Sequence, residues 1–205
     1  MRGVLHQWAF LVSILAGAVL VVRSGSLSAR TATLVYAVSL SSCLGISAYY
    51  HRRRWSPTAK RRMKKLDHAM IFVLVAGTYT PVATLVLPRQ LAIGTLAVVW
   101  VCAAAGILLT TLWKNPPIPV EVGAYLVLGL AGLGLIPNLL MTLGAPGVIL
   151  LALGGLFYVA GAIIYARRRP DPWPNTFGFH EVFHVLVVLA AGAHYAAITW
   201  MVQQS

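Results

Sequence analysis

Residues 178–201 read GFHEVFHVLVVLAAGAHYAAITWM. The run holds one acid, Glu181, and neither Lys nor Arg. About 20 consecutive apolar residues suffice to cross a bilayer as a helix, so this stretch predicts a transmembrane span. Its opening, HEVFH (180–184), has the H-E-x-x-H spacing found on the zinc-binding helices of soluble metalloproteases. A metal motif at the edge of a membrane span sets the question of what the chain does.

Six more apolar runs precede it. Together the predicted spans lie near 4–22, 31–50, 68–87, 91–112, 120–140, 146–166 and 178–201. The whole chain, 205 residues, is 59% hydrophobic and only 10% charged, with mean hydropathy +0.81. A soluble domain carries about 25% charged residues. The expected fold class is therefore all-α: one polytopic membrane domain over 1–205, a bundle of seven transmembrane helices. Gaps between runs are short and there is no internal repeat. The first run, behind Arg2, is read as a retained helix, because it is long for a signal peptide and no A-x-A site follows it. Run five is interrupted by Pro137 and carries Gly129, Gly132 and Gly134, which spans tolerate and which favour close helix packing.

Formal net charge is +12. In a soluble protein that excess would suggest nucleic acid. Here the basic residues sit in loops beside apolar runs, so anionic lipid headgroups are the expected counter-charge and nucleic acid is not. With seven crossings, the N-terminus and the second, fourth and sixth loops share a side. That side holds thirteen Lys and Arg residues against three (Arg23, Arg30 and Arg89) on the other. The positive-inside rule then puts the N-terminus in the cytoplasm and the C-terminus outside. Loop two contains RRRWSPTAKRRMKK (52–65), where Ser56-Pro57 is a helix-start signal. It suits a short basic helix on the inner leaflet, or a plain solvated positive loop. Cys43 and Cys102 each fall mid-span and read as small core residues.

Ionisable residues inside spans are costly, which makes each one a site candidate. Topology brings several to one depth. Span two ends inside with SAYYH (47–51), span three starts inside with Asp67-His68, and span seven starts inside with His180 and His184. His180 and His184 lie four residues apart on one helix face, so both imidazoles can reach one ion. His51 can supply a third nitrogen. Three protein ligands plus a water is the pattern of catalytic zinc, and a nitrogen-only set suits Zn2+. Asp67 would hold the water and act as general base; Ser47, one turn before His51, would orient the imidazole or donate to a bound oxygen. The competing reading is that interfacial histidines hydrogen-bond across helices without a metal, with Asp67 a helix N-terminal carboxylate. His194 lies about 15 Å beyond His184 along the helix, too far to share the ion, and is expected buried and hydrogen-bonded. His6 and His68 are weak candidates. Pro81, in AGTYTP, is expected to kink span three, with Thr78 and Thr80 placed to satisfy freed backbone groups.

Three blocks carry a resemblance: SAYYH, KKLDHAMIFVLVAGTYTP and FGFHEVFHVLVVLAAGAHY. In this order they resemble the signature blocks of the hemolysin III proteins, the bacterial branch of the progestin and adipoQ receptor (PAQR) family. The resemblance is close over spans two, three and seven. It implies a bacterial plasma-membrane protein with zinc near the cytoplasmic face, held by His51, His180 and His184, with Ser47 and Asp67 beside it. The layout is similar to that of alkaline ceramidases, which implies a zinc-dependent hydrolase of a membrane lipid amide or ester, its acyl chain entering from the inner leaflet. The haemolysin and receptor names imply the alternative, a receptor-like or pore-forming protein with a structural zinc. A third reading, an intramembrane metalloprotease with Glu181 as base, needs a further ligand beyond span seven, where nothing ionisable follows. The chain departs from the resemblance at its start. His6 matches the histidine that opens span one in relatives, but the acid and asparagine that often precede it have no counterpart.

Overall fold

A computed structural model describes residues 3–204; Arg2, counted above on the inner side, lies outside them. The elements are α1 (Val4–Arg23), α2 (Leu27–Arg52), α3 (Pro57–Val86), α4 (Arg89–Leu112), α5 (Ile118–Leu130), a 3-10 turn (Ala131–Leu135), α6 (Ile136–Arg167) and α7 (Phe179–Gln204). Among the described residues there is no strand, only an isolated bridge between Trp173 and Phe177. Six helices are long and apolar enough to cross a membrane when Ile118–Arg167 is taken as one run of 50 residues. The chain is a multi-pass, all-helical membrane protein.

The 50-residue run is not one straight helix. At 1.5 Å per residue it would reach about 75 Å, more than twice a hydrocarbon core of about 30 Å. Residues 131–135 tighten to a 3-10 turn. Gly144 then leaves helical geometry, at φ 65 and ψ −175. Glycine adopts positive φ without the Cβ penalty, and Pro146 behind it cannot return a helical hydrogen bond. The break falls in the gap between the fifth and sixth apolar runs.

Sequential helices pack side by side, and α7 returns to touch α1, α2 and α3 as well as α6. Close approach depends on small residues. A Cβ added at Gly17 would sit 2.7 Å from the Ala37 Cβ, so α1 and α2 meet there almost backbone to backbone. Leu20, Tyr36, Leu44, Ile198 and Met201 fill the main core. Outward faces are as apolar as the core: Leu15 is 72% exposed and Met141 87%. In water such a surface would aggregate; around a bundle it is the lipid-facing girdle. Cys102 belongs to that outer face, whereas Cys43 is buried. The core reading therefore holds for Cys43 and fails for Cys102, because hydropathy does not tell a lipid-facing position from an interior one.

Two local details differ from the sequence reading. Ser56 caps α3, accepting from the Ala59 amide, with Pro57 at the first position. The basic stretch that follows is the opening of α3 itself, continuous to Val86, and not a separate short helix. Pro81 lies inside α3. Thr78 and Thr80 donate to the carbonyls of Leu74 and Ala76, four residues back, and leave the Gly77 carbonyl that Pro81 cannot engage.

Candidate metal centre

Two helix ends and the body of a third helix build the site. The last turn of α2 carries His51. The first turns of α7 carry His180 and His184, and two carboxylates fix where that helix starts. Asp171 Oδ1 accepts from the Phe179 amide at 2.8 Å, and Glu181 Oε2 accepts from the Gly178 amide at 2.9 Å. These are orphan donors of a helix N-terminus, which acidic side chains satisfy. α3 brings Asp67 and His68 alongside.

The imidazoles of His51, His180 and His184 meet. Their nearest ring nitrogens all lie within 4.8 Å of one another. His180 Nε2 is 3.1 Å from His51 Nε2. His184 is buried and the other two are half-buried. A tetrahedral ion with metal–nitrogen bonds of about 2.0–2.1 Å spaces its ligand nitrogens by about 3.4 Å. His51 and His180 are close to that spacing, all three nitrogens lie within 4.8 Å, and this all-nitrogen set could hold a metal ion.

Asp67 Oδ2 lies 3.9 Å from His51 Nε2. The carboxylate also interacts with the Ser47 hydroxyl, and Ser47 is itself buried. All five residues singled out in the sequence therefore occupy one locality. His194 stands apart, with Nε2 3.2 Å from the Leu151 carbonyl. His68 turns away from the triad and places Nδ1 3.2 Å from Glu121 Oε2, both side chains nearly buried.

Two neighbours went unread in the sequence, and a third, His6, was only a weak candidate there. Glu121, on α5, is a buried acid inside a span, and its rarity was itself a signal; its partner, on α3, was not legible. Tyr165, on α6, stands between the two histidine groups, with ring centroids 6.2 Å from His68 and 5.9 Å from His180. His6, on α1, packs against His184.

A cavity of about 180 Å³ opens from this centre. Ser47, Asp67, His180 and His184 line one end, and Tyr79, Gly129 and His194 line the other. His184 and His194 are ten residues apart on α7, so the cavity extends about 15 Å along the bundle. Its walls between those ends are mainly aliphatic, including Ile71, Leu74, Val75 and Val159. A polar head with a long apolar body is the shape it accommodates.

A family profile described as "Haemolysin-III related" matches residues 1–195. The chain is 28% identical to "Hemolysin-3" of Bacillus cereus, over 91% of its own length and 84% of that protein. It is 29% identical to an "Adiponectin receptor protein" of Drosophila melanogaster, over 78% of this chain and 40% of the receptor. It is also similar to the human "Monocyte to macrophage differentiation factor", 25% identical over 94% of this chain and 79% of the relative.

Proposed function

The chain belongs to the haemolysin-III-related family, and from that premise we propose that it is a zinc-dependent hydrolase of a membrane lipid amide or ester. One observation carries the reading: three imidazoles whose nitrogens lie within 4.8 Å of one another have the half-buried Asp67 carboxylate beside them, and His180, His184 and Asp67 line one end of an apolar cavity. Zn2+ held by His51, His180 and His184 would supply Lewis acidity toward a carbonyl and lower the pKa of an attendant water to about 7. Asp67 is placed to take that water's proton as general base. Ser47 holds the Asp67 carboxylate in position. The aliphatic walls beyond Asp67 bind the acyl chain and exclude bulk water.

In this reading the bundle is a single domain of seven spans, with Gly144 at the turn between spans five and six. The charge asymmetry of the loops supports a cytoplasmic N-terminus and a zinc site under the inner leaflet. The basic segment 52–65 meets anionic headgroups there. The Bacillus relatives support a bacterial plasma membrane.

A second reading, suggested by relatives called a hemolysin and a receptor, is a receptor-like or pore-forming protein; the metal would then be structural. The metalloprotease reading loses its base, since the Glu181 carboxylate caps the start of α7.

Metal analysis of the purified protein tests the proposal, followed by hydrolysis of a labelled lipid amide and a labelled acyl ester in vesicles. About one zinc per chain, with turnover abolished in Asp67→Asn while zinc is retained, supports the hydrolase. Zinc without turnover of either class supports the structural alternative. No zinc in wild type removes both.

A further inference from the structure

His6 is outside the triad and yet lies face to face on one member of it. The rings of His6 and His184 have centroids 3.9 Å apart and planes 9° apart. Nitrogen lone pairs lie in the ring plane. Two parallel planes separated by this distance do not meet at a point, so the two rings cannot both aim at one ion. His6 is therefore not a fourth ligand in this arrangement. It is 3% exposed, and neither ring nitrogen reaches a partner at hydrogen-bonding geometry. The parallel contact with the His184 ring is the closest interaction that the geometry gives it.

The residue that caps the same helix touches a second member of the triad. Gly3 has φ 80, and a Cβ built there would stand 2.7 Å from the His51 Cβ and 3.4 Å from the Ala48 carbonyl oxygen. The opening turn of α1 thus abuts His51 through bare backbone and His184 through an aromatic face. Its two contacts fall on ligands that come from different helices, α2 and α7.

We propose that the start of α1 is a template for the metal centre, with His6 the positioning residue that sets the His184 ring plane and Gly3 the backbone against which His51 rests. A ligand imidazole needs its ring orientation fixed, and a partner of its second nitrogen commonly does this. Here a stacked ring supplies the constraint on His184 through its face. What His6 contributes is flatness and fit. The inference rests on the metal-binding reading above.

The test measures Zn2+ affinity by chelator competition, and the visible spectrum of the Co2+-substituted protein, for wild type, His6→Ala, His6→Phe and Gly3→Ala. Helicity and thermal unfolding of the metal-free forms run alongside. His6→Ala is expected to weaken Zn2+ binding about 10–100-fold, the usual cost of losing a group that orients a ligand, and to shift the Co2+ bands. His6→Phe keeps a flat ring and should restore most of the affinity. Gly3→Ala should weaken binding through His51, and it decides the matter if His6→Ala does not fold. A wild type that binds zinc with His6→Ala and Gly3→Ala unaffected overturns this inference alone. So does a His6→Phe protein as weak as His6→Ala, since the imidazole would then act through its nitrogens. A wild type that takes up no metal overturns this inference and the metal-binding reading together.

Discussion

His51 and His180 stand 129 positions apart in the chain, and their Nε2 atoms lie 3.1 Å from each other. Two neutral imidazoles at that distance share one hydrogen, whereas a metal ion engages both lone pairs. The second arrangement also recruits His184. Alanine at any of the three positions should cost more metal affinity than the 10–100-fold loss typical of an outer-shell partner (about 1.4–2.7 kcal/mol). Zinc content after dialysis against a weak chelator measures it. Retention of stoichiometric zinc in His51→Ala would contradict the triad.

Asp67 separates binding from chemistry. Asp67→Asn keeps the size and hydrogen-bonding capacity of the side chain but not its basicity. The expected result is zinc retained and lipid hydrolysis lowered about 10²–10⁴-fold, the usual contribution of a general base. Paired zinc and turnover measurements on the same preparation check it.

The His68–Glu121 pair ties α3 to α5. Both side chains are nearly buried, at 11% and 8% exposure. Removing one partner of a buried pair leaves the other uncompensated and costs roughly 3–5 kcal/mol, whereas replacing both with apolar side chains is often neutral. Glu121→Leu should therefore unfold at lower temperature, and His68→Phe combined with Glu121→Leu should recover most of the loss. Thermal unfolding in one detergent compares them. A double variant no more stable than Glu121→Leu would show that the pair is not the tie.

Two glycines on the cavity wall offer a way to fill it. A Cβ added at Gly129 or Gly155 meets no atom within 4 Å. Gly155→Leu should fold with nearly wild-type stability and bind zinc, yet shorten the acyl chain the protein accepts. Gly17→Leu is the contrasting control: its Cβ would press on Ala37 at 2.7 Å, and overpacking of that kind costs about 1–3 kcal/mol. Chain-length profiles and unfolding temperatures of the two variants are the readouts.

The break at Gly144 lets the crossing count be tested. If the chain turns there, a cysteine at Ala145 in a Cys43→Ala, Cys102→Ala background reacts with an impermeant thiol reagent from the face opposite the basic loop 52–65. A cysteine at Ala59 reacts only from the other face. Protection of position 145 from both sides would leave Ile118–Arg167 embedded and remove the seventh span.

The sequence reading reached far where the physics is local. The apolar runs, the Ser56-Pro57 helix start and the gap at 141–145 between the fifth and sixth runs are all visible in short windows. So is the i, i+4 pairing of His180 and His184. Span parity and the basic loops were enough to set His51 and Asp67 beside that pair. The reading stopped where rotation about a helix axis mattered. Cys43 and Cys102 look alike in the sequence, yet one faces the core and the other lipid. Asp67 and His68 are adjacent, and their side chains serve different neighbours, His51 in one case and Glu121 in the other.

Hydrophobicity and backbone hydrogen bonding by themselves determined that this chain is a bundle of membrane helices, and roughly where each begins, because every apolar segment must satisfy its own peptide groups within itself. Only the tertiary structure decided which face each helix turns inward. It thereby placed Glu121 on His68 and the opening turn of α1 on His51 and His184. Those choices depend on how distant helices fit against one another, and the order of residues along a single chain does not encode that fit in any short stretch.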